Sequence, residues 1–150
     1  MRNLFDTGAV DEIRSRLDRL SPDSERKWGT MSVAQVLAHC SAGFELASGA
    51  RRPPQLLLGR ILGWLIKPMA LGNDEPMRRN SPTIPGLVMQ GEKNFGTERR
   101  ALRAAIDRFH ASGPAGCTTH PHSFFGKLTP NEWAILMYKH LDHHFKQFGG

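Results

Sequence analysis

Apolar residues recur at steps of three and four in four long stretches of this chain, and no stretch of comparable length alternates with the period of two that a strand requires. Such a chain buries helical stripes, so the fold expected is all-α. Val10, Ile13, Leu17 and Leu20 form the first stripe, ended by Ser21-Pro22-Asp23. Ser32 and Gln35 then make a capping-box start for a second helix, whose stripe of Val33, Val36, Leu37, Cys40 and Phe44 runs to Ser48-Gly49. A third helix is predicted from about Gly91 to Ser112 on Phe95, Leu102, Ile106 and Phe109, with Gly113-Pro114 as its stop. The clearest start is Thr129-Pro130-Asn131-Glu132, which supplies an N-cap, a proline at N1 and a capping-box glutamate at N3.

Residues 49–89 hold Pro53-Pro54, Pro68, Pro76, Pro82 and Pro85-Gly86, and read as a long crossover between helices two and three that carries a short extra helix, Leu56 to Ile66. Four long helices and one crossover predict a four-helix bundle, and 150 residues predict a single domain, 1–150. The apolar run Leu56 to Leu71 is interrupted by Arg60, Lys67 and Pro68 and falls short of the roughly 20 residues of a membrane span, so none is expected. Leu57, Ile61, Trp64 and Leu65 share one face, read first as core cover, with a partner subunit in a homodimer or a membrane surface as alternatives. The Pro82 to Met89 segment is open to two roles, walling a hydrophobic pocket or forming a dimer contact.

The formal net charge is +6, which raises the question of phosphate binding. The basic residues are scattered over three regions and are not interleaved with stacking aromatics, so no nucleic acid is expected as a partner. An anionic small-molecule substrate remains compatible with the charge. The start, Met1 to Asp6, lacks a signal-peptide core, and Cys40 and Cys117 make no disulfide framework, so a cytoplasmic location is expected.

On the fourth helix Trp133, Leu136, Met137, His140, His144 and Phe148 share one face, which turns two imidazoles inward at a spacing of four. Such a pair can bind one ion, or it can be a hydrogen-bonded pair near a helix C-terminus. His143 should face elsewhere. His39, at the edge of the second helix's stripe, is open to two readings, a third nitrogen from across the bundle or a satisfied core histidine. Cys40 points away from that position and reads as a buried small hydrophobe.

Met31-Ser32-Val33-Ala34-Gln35-Val36-Leu37-Ala38-His39-Cys40, then Phe124-Phe125-Gly126-Lys127-Leu128, then the segment from Tyr138 to Gly149 with His140, His143 and His144, resemble a bacterial branch of the DinB/YfiT superfamily. The resemblance covers helices two to four and implies a bundle of that type, with one divalent metal, zinc, nickel or iron, held by His39, His140 and His144. The branch usually carries a His-Pro pair directly before Phe-Gly-Lys; here His122 is followed by Ser123, and the His-Pro pair is His120-Pro121.

Around that site His122 is a candidate to donate to a metal-bound group or to shuttle a proton, against a solvated loop histidine, and Asp142 and Glu45 are candidates to orient an imidazole or act as bases, against plain helical surface charge. The resemblance also implies metal-dependent transferase chemistry with a low-molecular-weight thiol, or hydrolysis. The competing expectation is a noncatalytic module in which the ion joins two helices.

Overall fold

A computed structural model describes residues 1–81 and 83–150. Among these residues the fold is all-helical, with five α-helices: α1 (Thr7–Arg19), α2 (Val33–Ser48), α3 (Leu57–Leu71), α4 (Phe95–Ser112) and α5 (Pro130–Gln147). No strand is present among the described residues, where the one β-type pairing is an isolated bridge between His122 and Gly126.

The helix starts follow local chemistry. Ser32 and Gln35 satisfy each other's backbone at the head of α2, and Thr129 and Glu132 do the same for α5 with Pro130 at N1. The expected start near Gly91 shifts to Phe95, because the side chain of Asn94 accepts from Thr97 N and caps the helix there.

α1, α2, α4 and α5 share one core, in which Ile13, Leu17, Leu37, Leu102, Ile106, Trp133, Leu141 and Phe145 are almost wholly buried. Behind α1, the Arg16 guanidinium is buried and meets the Asp142 carboxylate at 2.8 Å, which ties α1 to the last turns of α5.

The crossover helix departs from expectation in two ways. It continues through Pro68 to Leu71, and its C-terminal carbonyls find a donor in the buried Lys139, whose Nζ reaches Ala70 O at 2.6 Å and Asn73 O at 3.1 Å. The core-cover reading of its apolar face is also corrected, since Leu57, Ile61, Trp64 and Leu65 are all exposed. Gly59 and Gly63 explain why. They are the buried face of α3, and they let its backbone lie so close to Phe124 that a Cβ at Gly59 would sit 2.6 Å from Phe124 Cα, with Gly63 closer still to the Phe124 carbonyl. With the glycines inward, the bulky apolar residues turn out. No helix of the described residues is long and apolar enough to cross a membrane.

Candidate metal centre

His39 lies midway along α2, and His140 and His144 lie in the last two turns of α5, where the spacing of four stacks them on one face. The packing of α2 against α5 brings the three rings together. Ring centroids are 4.8 Å apart for His39 and His140, 4.8 Å for His39 and His144, and 4.7 Å for His140 and His144, each pair edge to face. One ring nitrogen from each lies within 4.8 Å of the others. Gly43, one turn beyond His39, makes the close approach feasible, since a Cβ there would meet the His140 ring at 3.4 Å and Met137 Cε at 3.1 Å.

Second partners fix which nitrogens point inward. His39 Nδ1 lies 2.9 Å from the carbonyl of Leu87, an acceptor only, so Nδ1 carries the proton and Nε2 presents a lone pair. Gln147 Nε2 donates to the Trp28 carbonyl at 2.7 Å, which turns its Oε1 toward His144 Nδ1 at 2.9 Å. His144 must therefore donate from Nδ1, and its Nε2 is also left as a lone pair. His39 Nε2 and His140 Nε2 stand 2.8 Å apart, a contact that requires a shared proton or a cation faced by both. Two nitrogens each about 2.1 Å from one ion lie about 3.0–3.4 Å apart, a spacing between the 2.8 Å of His39 and His140 and the 4.8 Å bound on the trio, so the three could hold one ion once their rings adjust.

The electrostatics favour neutral ligands. Burial, more than any other influence, holds all three imidazoles below the ordinary range: His39 is lowered, His140 is lowered well below it, and His144 falls to about 3. The neighbouring rings add to the effect at His140 and His144. At neutral pH the trio thus offers uncharged nitrogen donors, which suit zinc, nickel and ferrous iron.

Residues 2–149 match the family described as "Protein of unknown function (DUF1569)". The chain belongs to the DUF1569 family. No curated protein and no solved structure matches it.

The other candidate residues of this DUF1569 chain are not part of the converging trio. His143 packs its ring against Trp28 at 5.5 Å and lines a cleft of about 290 Å³ with Lys27, Met77, Arg79 and Lys146. Asp142 gives its carboxylate to Arg16 and to Lys146, at 2.8 and 2.9 Å, and makes no hydrogen bond to an imidazole among the described residues. Glu45 pairs with Arg51 at 2.9 Å on the surface. Cys40 is fully buried with its thiol pushed up by desolvation, and Cys117 is free and half-buried.

His122 organises its own loop. Its Nδ1 accepts from Phe124 N at 3.1 Å and Phe125 N at 3.2 Å, while its ring stacks on Phe125 and meets Trp133 edge on. Burial lowers it to about 4. The unfolded chain should bind this proton below about pH 6.5 and the folded chain only near pH 4. This contribution to stability is therefore complete above pH 6.5 and lost as pH falls toward 4. His122→Asn, whose Oδ1 accepts the same two N–H groups without titrating, should flatten the urea-midpoint profile across that window, and an unchanged slope would refute the assignment.

Sequence reasoning missed Gln147 and the Leu87 carbonyl. Gln147 lies one helical turn beyond His144, and that spacing was a usable signal. Leu87 was not legible, because its carbonyl is aimed by a 3-10 turn (Pro85–Leu87) deep in the crossover. The buried Leu87 gives part of the Pro82 to Met89 segment an orienting role; Pro82 itself lies outside the described residues.

Proposed function

We propose that this protein is a DinB/YfiT-type four-helix bundle built from α1, α2, α4 and α5, that it binds one zinc, nickel or ferrous ion through His39, His140 and His144, and that the site serves thiol transfer or hydrolysis on a small molecule. The observation that carries the reading is the convergence of three neutral imidazoles, two with Nδ1 engaged by Leu87 or Gln147 so that Nε2 faces the common point. A divalent ion with three protein nitrogens keeps a further position for water or a thiol and lowers the pKa of either. His39 and His144 are 3% and 8% exposed and His140 is half-buried, so this reading requires the rings to open a path to the further position. Low-molecular-weight thiols are the preferred cofactor class, and no side chain at the trio stands as a general base.

Burial of two of the three ligands also supports a second reading, in which the ion clamps α2 to α5 without turnover. Cobalt substitution separates the two. Under the first reading, addition of a small thiol to the cobalt form gives a new sulfur-to-metal absorption band and shifts the visible spectrum. A visible spectrum that millimolar thiols leave unchanged would assign the site to the clamp.

A further inference from the structure

We infer that the cleft between residues 27–28, residues 76–79 of the crossover and the end of α5 binds a small organic anion through its carboxylate or phosphate group. The inference goes beyond the metal reading and stands without it. The cleft holds about 290 Å³, at the low end of the roughly 300–1,000 Å³ typical of small-molecule pockets. One wall is the ring of His143, 5.0 Å from that of His144, so the cleft adjoins the trio.

The charges lining it have one sign. Lys27, Arg79 and Lys146 are all exposed there, and no carboxylate side chain is among the lining residues. Glu25, Asp74, Glu75 and Asp142 flank these segments in sequence without reaching the lining. Asp142 is engaged by Arg16 and Lys146, and Asp74 stands 4.0 Å from the N-terminal amine. Gly150 also lines the cleft, and its carbonyl oxygen accepts from Arg16 Nη2 at 3.3 Å. The exposed Arg78, outside the lining, adds charge of the same sign.

Two of the three cations are unneutralised and held in place. Among the described residues neither Lys27 nor Arg79 forms an ion pair. The Arg79 guanidinium lies over the Trp28 ring, 4.2 Å from its centroid, which leaves the N–H edge of the fork for a planar oxyanion. Lys27 N donates to Gln147 O at 2.8 Å, and a Cβ at Gly149 would stand 3.7 Å from both Cε and Nζ of Lys27, so the lysine chain lies across that glycine. Lys146 gives Asp142 one of its three N–H groups, at 2.9 Å, and keeps two. Unpaired cations around a concavity raise the local concentration of anions, and Met77 and Pro76 offer an apolar wall to the rest of the ligand.

Calorimetric titration of the full metal-replete chain at low salt tests the inference, with phenyl phosphate, benzoate and neutral benzamide as probes. At least one of the two anions is expected to bind once per chain with a dissociation constant below about 1 mM, the tighter one identifying the preferred headgroup, and benzamide at least about tenfold more weakly. Lys27→Met and Arg79→Met should each weaken the anion about tenfold, whereas Arg78→Met should change it less than about threefold. A folded variant with His39, His140 and His144 all replaced by alanine should bind it as wild type does. The inference is overturned if neither anion binds saturably up to about 10 mM, or if benzamide binds equally well. It is also overturned if affinity ignores Lys27→Met and Arg79→Met, or if it vanishes in the folded histidine variant, which would put the anion on the metal.

Discussion

His140→Ala should lower the affinity for zinc by more than about a hundredfold, and Gln147→Leu by about ten- to a hundredfold, with His143→Ala close to wild type. The ranking follows from the contacts. His140 supplies one of three converging nitrogens, and its loss leaves His39 and His144 facing a gap in the donor set. Gln147 is outside the converging trio; it sets the tautomer and direction of His144 through one bond while Trp28 holds its amide in place. His143 sits beside His144 yet packs toward Trp28 and the neighbouring cleft. Competition against a chelator of known affinity measures all three variants, with circular dichroism to verify folding. Equal losses at His143 and His140 would mean that the ligand set is wrong.

The second large effect concerns the buried ion pair beneath α1. Arg16 and Asp142 have side chains 8% and 14% exposed, and the guanidinium also reaches the Asp142 carbonyl at 3.3 Å. Removing one member of a buried pair leaves the other charged and poorly solvated, which typically costs about 3–5 kcal/mol. Lys146 remains to Asp142 at 2.9 Å and is half-exposed, so the cost for Arg16→Met should fall to about 2–3 kcal/mol, or roughly 5–10 °C in Tm for a domain of this size. The double variant Arg16→Met with Asp142→Leu should recover most of that loss. If the single variant unfolds no earlier than wild type, the pair is not the fastener of α1 described above.

The helical architecture was legible because it is written in local codes. Both capping boxes, at Ser32 and Thr129, form as the sequence predicts, and the stripes of α1, α2, α4 and α5 are the buried faces. The pairing of His140 with His144 followed from helical spacing alone, whereas the approach of His39 depends on how α2 meets α5 and became an expectation only through resemblance. The outward turn of α3 was misread, since an amphipathic stripe states which residues are apolar but not which side meets the domain. There the two glycines decided, because close approach to Phe124 rewards the face without side chains. The Leu87 carbonyl leaves no trace in sequence, because every residue carries one and only the fold aims it, whereas Gln147 stands one turn beyond His144 at a spacing that marks it. His122, in sequence a candidate donor toward the site, instead accepts from its own loop.

The most direct measurement is the metal content of the purified chain after incubation with zinc, nickel and ferrous ion in turn and removal of excess, read by elemental analysis beside the His39→Ala/His140→Ala/His144→Ala variant. Close to one equivalent per chain of at least one of these metals is expected in the wild type, and almost none in the folded triple variant. A wild type that retains no divalent metal, or a triple variant that retains as much, would contradict the three-histidine centre.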